Sequence, residues 1–360
     1  QRALTDATAG PPARVGTVDA KPGRIFVMPK YRGVPTGLLT LRTETWELMP
    51  APGGKFVLYQ VDDDKIPPLD PGADTDGIDP DAGAADDFGT GGAVTAANGG
   101  NVHDLLVVYT PAVREATGRD TLEAQIQNAV VAANQAYQNS GISITLNLVG
   151  MREVAYAETG DLQATAYDLR GTSDGKMDSV HSIRDSLGAD MVTLVTNSGN
   201  YCGWAFASVT ASAGYPSYAF NVVRKSCFSN HTLAHEIGHN QGSMHNREST
   251  SSSGAYPYSY GFRRCASDGT GFRTVMSYSC SGASRVAHFS NPRVDYNGYA
   301  TGVAYESDPN NSADNTRSMN NTAATVAAFR GSSGGSTETR PSAPSSLSAS
   351  ADSSSRITVR

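Results

Sequence analysis

Residues 235–245 read His-Glu-Ile-Gly-His-Asn-Gln-Gly-Ser-Met-His, which places three of the chain's seven histidines in one short segment. Each residue of an α-helix turns about 100°, so His235 and His239 lie one turn apart on one face, where both imidazoles reach a single ion. His245 cannot join them from the same helix, because it would sit about 15 Å along the axis from His235. The helix must end between them, and Gly242 tolerates the left-handed backbone such an end requires. Three imidazoles around an open fourth position make the donor set of a catalytic zinc ion. Glu236, beside the first of them, is the carboxylate that faces this position. There it can take the proton of a water whose pKa zinc lowers to roughly 7, during attack on a peptide carbonyl.

About thirty residues downstream runs Arg273-Thr274-Val275-Met276-Ser277-Tyr278-Ser279-Cys280. The pattern H-E-x-x-H-x-x-G-x-x-H followed by a methionine turn resembles the metzincin zinc metallopeptidases, over a catalytic region of residues 102–330. The spelling His-Glu-Ile-Gly-His-Asn-x-Gly-x-x-His is similar to the bacterial reprolysin-like (adamalysin-like) form. The resemblance implies one catalytic Zn²⁺ on His235, His239 and His245, with Glu236 as general base. It further implies that Met276 forms an apolar floor under the histidines and that Tyr278 ligates zinc or swings to the transition state. In the reprolysin form aspartate follows the third histidine, whereas Asn246 stands here; asparagine keeps the hydrogen bonds and loses the charge. A protein or peptide substrate is then expected in extended form along an antiparallel edge strand, for which Gly203–Ala207 is the candidate.

Two alternatives remain open at this level. Residues 281–290 should wall the pocket beside the scissile bond, and Arg285 and His288 lie there. A basic wall would favour acidic side chains, as in peptidyl-Asp metallopeptidases, although a lone arginine in a loop is ordinarily solvated. The other class is a catalytically inactive metzincin scaffold used for adhesion or matrix binding.

The elements that must position these residues follow from hydrophobic pattern. Asp104–Pro111 is an apolar run ended by proline, suited to a buried strand. Leu122, Ile126, Val130, Ala133 and Tyr137 form one helical stripe between about Thr121 and Asn139, and Gly141 closes that helix. Ile142–Val149 alternates as a strand, and a helix from about Lys176 to Leu187 leads through Gly188 into strand Ala189–Val195. This β-α-β-α-β order predicts an α/β fold. The metzincin resemblance makes it a twisted, mostly parallel five-stranded sheet with one antiparallel edge, a long active-site helix and a C-terminal helix. That active-site helix is expected to start near Ser229 or Asn230, so that His231 shares its face as a structural histidine. The last helix is expected over Ala313–Phe329, capped by Asn310–Ser312.

Composition frames this core. The formal net charge is −7, which gives no reason to expect nucleic acid, and no apolar run is long enough for a transmembrane helix. The four cysteines, Cys202, Cys227, Cys265 and Cys280, all fall in the catalytic region. They read as two disulfides of an exported protein. Three connectivities are possible; Cys202–Cys227 and Cys265–Cys280 are expected because each pair brackets one local segment. Residues 1–69 read as a partial β-rich pro-segment without cysteine, so latency through a cysteine thiol is excluded. Residues 70–101 form an acidic Gly/Ala/Asp linker in which Ca²⁺ binding lacks a full motif. After the catalytic region come a Ser/Gly linker at 331–340 and, at 341–360, a resemblance to the opening strands of a fibronectin type III module. The expectation is a monomeric, secreted zymogen whose signal peptide is not in this sequence.

Overall fold

Continuous apolar runs become strands buried on both faces. The computed structural model describes residues 101–208 and 215–330 throughout, with 34, 36–39, 44–50, 57–62 and 65–67 of the N-terminal part; for some other terminal stretches it gives strand placements alone. Strands Asn101–Tyr109 (β1), Ile144–Glu153 (β2), Met191–Thr196 (β3), Gly203–Ala205 (β4) and Phe220–Arg224 (β5) form one sheet in the order β4-β5-β3-β1-β2. All neighbours run parallel except β4, which pairs antiparallel with β5 at the edge. The period of two along β1 divides the core between the two faces. Leu105, Val107 and Tyr109 pack with one set of helices, while Leu106 and Val108 pack with Trp204, Phe206 and Phe220 on the other side. Trp204 is therefore a core residue, its ring 4.7 Å edge-on from Phe206.

Helices Pro111–Thr117 (α1) and Arg119–Ser140 (α2) follow β1, and α2 closes on Gly141 with a φ of 78°. Its expected apolar stripe faces the core. The opposite side is also covered, because Leu38 packs on Ala132, Thr36 Oγ1 donates to the Ala124 carbonyl, and Gln125 Nε2 donates to Glu47 Oε1 at 3.1 Å. The antiparallel strands Val34–Leu41 and Glu44–Ala51 supply those contacts.

Helix Leu162–Arg170 (α3), capped by the Asp161 carboxylate accepting from Ala164 N, lies where no helix was expected. The next helix, Ser179–Leu187 (α4), starts three residues later than its periodicity suggests, since the backbone N–H groups of Asp174 and Gly175 donate to Asp178 in a preceding turn. Gly188 ends it in the left-handed region. A further helix, Thr232–Asn240 (α5), starts after a 3-10 turn over Lys225–Asn230, so the expected start at Ser229 or Asn230 is corrected to Thr232. His231 stands at the junction with φ 55°, outside the helix. The last helix is Asn315–Val326 (α6), shorter than expected, and its cap is Asp314, which accepts from Arg317 N at 2.9 Å.

Disulfides join Cys202 to Cys227 and Cys265 to Cys280. Among the described residues no helix is long and apolar enough to cross a membrane. The expected acidic linker up to Gly100, the Ser/Gly linker and the C-terminal module lie outside the described residues, apart from strand placements at Ser348–Ser353 and Arg356–Val359.

One buried polar chain ties the sheet to the helices around it. Gln241, just past α5, donates from Nε2 to His103 Nδ1 at 2.8 Å and accepts from the Tyr137 hydroxyl at 3.1 Å. His103 then donates from Nε2 to the Ala323 carbonyl of α6 at 2.9 Å. Burial pushes His103 from 6.5 down to about 4, because an imidazolium there would lose its hydration. The unfolded chain gains this proton below about 6.5 and the folded chain only near 4, so the contribution is whole at neutral pH and disappears as pH falls through that window. The expected loss is about 3 kcal/mol. Urea unfolding at pH 7 and pH 4.5 checks it: His103→Gln should show a shallower fall with acid than the parent chain, and identical pH slopes would refute the assignment.

Candidate functional site

Two imidazoles project from one face of α5, as their spacing of four requires, and the third arrives from beyond its end. The backbone turns at Gly242, whose φ of 92° is left-handed and whose N–H donates to His239 O at 3.0 Å. A Cβ on Gly242 would lie 2.6 Å from Ala255 Cβ, so steric room adds to the conformational requirement. The short strand Met244–Asn246 then pairs with Tyr260–Gly261 and carries His245 back toward the helix.

All three histidines are completely buried. Their Nε2 atoms converge at 3.2 Å (His235 to His245), 3.2 Å (His239 to His235) and 3.1 Å (His239 to His245). These contacts are not mutual hydrogen bonds. His235 Nδ1 lies 2.8 Å from the Val275 carbonyl and His239 Nδ1 lies 2.9 Å from the Ser243 carbonyl. A carbonyl only accepts, so each Nδ1 holds the ring proton and each Nε2 presents a lone pair to the common point. Such a convergence of buried imidazole nitrogens is suited to a metal ion. The spacing matches the separation of ligands that each sit about 2.0–2.1 Å from a tetrahedral zinc ion. Among the described residues this trio is the group of metal-ligating side chains that close together.

The helix is locked in place by residues that the motif does not advertise. Asn240 donates from Nδ2 to the carbonyls of Phe206 and Phe220 and accepts from Asn221, which fastens the end of α5 to the sheet. On its other side Met276, fully buried, approaches so closely that a Cβ on Gly238 would lie 2.6 Å from its sulfur. The glycine inside the histidine motif thus makes room for the methionine turn. Glu236 is fully buried and faces β4, where a Cβ on Gly203 would fall 2.2 Å from Glu236 Oε1. Neither glycine could be singled out from spacing alone, since the clash partner in each case comes from a different part of the chain.

Tyr278 is half-buried, its ring centroid 4.2 Å from that of His245. Its N–H donates to Asn246 Oδ1 at 3.0 Å. The Asn246 Nδ2 group in turn donates to Glu248 Oε2 at 2.7 Å and Ser249 Oγ at 2.8 Å. This accounts for asparagine after the third histidine: an aspartate could accept from Tyr278, but it could not donate to Glu248 and would repel it. Tyr278 also packs with Ile66 against the Cys202–Cys227 disulfide, and the Pro67 carbonyl oxygen lies 3.3 Å from Cys202 Sγ. That last approach is a van der Waals contact, because a disulfide sulfur carries no proton to donate.

Arg285 is a further departure from expectation. It is 5 % exposed rather than solvated, with Nη1 donating to Asn230 O at 3.1 Å and Nη2 to Ser277 O at 2.9 Å. Arg273, which the sequence pattern did not single out, is 4 % exposed and donates from Nη1 to the same Ser277 carbonyl at 3.2 Å.

Residues 100–307 match the family model described as metallo-peptidase family M12B, reprolysin-like. A peptidyl-Asp metalloendopeptidase of Stenotrophomonas maltophilia (strain K279a) is 35% identical over 311 residues, covering 86% of this chain and 71% of that protein. A protein of the same name from Xanthomonas campestris pv. campestris is 34% identical over 302 residues, covering 82% and 67%. Among solved structures, a chain of a chaperone–substrate complex matches with a TM-score of 0.50 and 17% identity, covering 84% of this chain and 44% of that one. At that identity the likeness concerns the fold alone.

The Asn246 contacts predict that Asn246→Asp lowers stability by about 1–3 kcal/mol, through two lost donors and a like-charge contact with Glu248. Thermal unfolding at neutral pH checks this, and a Tm equal to that of the parent chain would show that the amide donors are dispensable.

Proposed function

Because the chain belongs to the reprolysin-like M12B metallopeptidase family and is a zinc metalloendopeptidase, we propose that His235, His239 and His245 hold the zinc and that Glu236 carries the proton of hydrolysis. The observation that carries this reading is the convergence of three buried Nε2 atoms within 3.2 Å, on and just after the helix that bears a buried glutamate. When bound, zinc supplies the Lewis acidity that lowers a coordinated water's pKa to roughly 7 and polarises the substrate carbonyl. Glu236 accepts a proton at its carboxylate and returns it to the leaving amine nitrogen. Gly203 leaves the space that this carboxylate needs. Tyr278, over the His245 ring, donates from its hydroxyl to the oxyanion as charge develops there. Met276 keeps the floor beneath the histidines apolar and rigid.

The substrate backbone lies extended beside β4, the antiparallel edge strand, so that binding is read through main-chain pairing. The peptidyl-Asp relatives and the buried arginines beside the methionine turn support cleavage at an aspartyl residue. Residues 1–69 act as a pro-segment. The packing of Ile66 against the same Cys202–Cys227 disulfide that Tyr278 packs on supports this, since it brings the segment near the site. Two disulfides support export to an oxidising compartment.

Chelation should abolish casein cleavage and added zinc should restore it. Glu236→Ala should retain one zinc per chain while losing roughly 10²–10⁴-fold in kcat, read by metal analysis and peptide assay; retained cleavage by the pure variant would sink the assignment. Gly203→Ala should also keep zinc and lower kcat, because the added methyl displaces the Glu236 carboxylate. Unchanged kcat in that variant would mean that Glu236 acts from another position.

A further inference from the structure

Arg273 and Arg285 lie side by side, in register, on the parallel strands Phe272–Arg273 and Ser284–Arg285. Like charges in that relation destabilise a sheet, and burying guanidinium groups sacrifices hydration. A fold that needed only packing would not place two arginines there. Both donate to one acceptor, the Ser277 carbonyl, between Met276 and Tyr278. Arg285 also donates to the carbonyl of Asn230, two residues before α5 begins. The pair therefore bridges the methionine turn and the entry to the helix that bears His235 and Glu236.

Two histidines extend the group. His231 is buried and held at φ 55°, a left-handed conformation that a residue with a Cβ adopts at a cost. His288, half-buried, stands three residues after Arg285. Burial, then Arg285, His288 and Arg273, push His231 down to about 4, so it is neutral at pH 7 while the arginines keep their charge. Among the described residues, both arginines act electrostatically on His231. A paired guanidinium fork matches a carboxylate in shape as well as charge, whereas a single exposed lysine would supply charge only.

We propose that Arg273 and Arg285 are the specificity-determining residues of the cleft, receiving the carboxylate of a substrate aspartate that adjoins the scissile bond. This rests on the metalloendopeptidase reading and names the groups that select its substrate. The aspartate brings a negative charge to a site already organised by two fixed carbonyls, so little rearrangement is needed. Asparagine is the same size and lacks the charge, which makes it the discriminating competitor.

The test uses purified full chain and peptides identical except for Asp, Asn or Glu at one position, with the cut located by mass spectrometry. The parent chain should cut at Asp with kcat/KM about 100-fold or more above Asn. Arg273→Gln and Arg285→Gln should each bring that ratio to within about tenfold, with zinc content and circular dichroism matching the parent. Should a neutral variant not fold, Arg285→Lys keeps the charge without the fork and should still lower the Asp-to-Asn ratio. A parent chain that cuts both peptides equally overturns the proposal, as do folded variants that keep the full ratio. A chain that cuts no peptide and no casein, with zinc bound, instead refutes the peptidase reading and this inference with it.

Discussion

Three imidazole Nε2 atoms converge to within 3.1–3.2 Å of one another, while the ring protons of His235 and His239 are committed to backbone carbonyls. That is a donor set suited to the zinc ion this family uses, and such a site needs its three rings held in place. The carbonyls of Val275 and Ser243 do this for two of them, one from the methionine turn and one from the chain just past α5. The metal centre, the turn at Gly242 and the loop around Met276 are therefore one mechanical unit.

That unit is anchored to the sheet at several points. Asn240 fixes the end of α5 to the segments around β4 and β5, and the chain Tyr137–Gln241–His103–Ala323 ties the same end to α2, β1 and α6. Close packing of Gly238 on Met276 and of Gly203 on Glu236 sets the two sides of the helix. Polar side chains such as Asn240, Gln241 and His103, costly inside a core when unpaired, are each hydrogen-bonded to more than one partner. The end of α5 is thus held by hydrogen bonds and its two sides by close packing, as a precisely spaced centre requires.

Two hydrogen-bond systems meet at the methionine turn. Asn246 links the third histidine segment to the backbone of Tyr278, and Ser277, the residue before it, receives both buried arginines. The histidine segment and the two buried arginines are thus joined through two consecutive residues. The chain that passes Ile66 and Pro67 beside the same tyrosine brings the N-terminal segment into this neighbourhood.

Much of this was legible in the order of residues. Spacing of four put His235 and His239 on one helical face, Gly242 announced the turn, and alternation marked the strands, because these are local properties of backbone geometry. The resemblance carried Met276, Tyr278 and the antiparallel edge. Local pattern was less reliable at element ends: α5 begins at Thr232 because a 3-10 turn and His231 intervene, and Asp314 caps α6. What only the tertiary structure decided were relations between distant segments. The need for glycine at 203 and 238 depends on which side chains approach from elsewhere, and the choice of asparagine at 246 depends on Glu248 and Tyr278 meeting it from opposite sides. Arg273 was indistinguishable from a surface cation until a strand pairing placed it beside Arg285. Periodicity reports the face on which a residue lies, whereas the group it meets there is set by the folding of the whole chain.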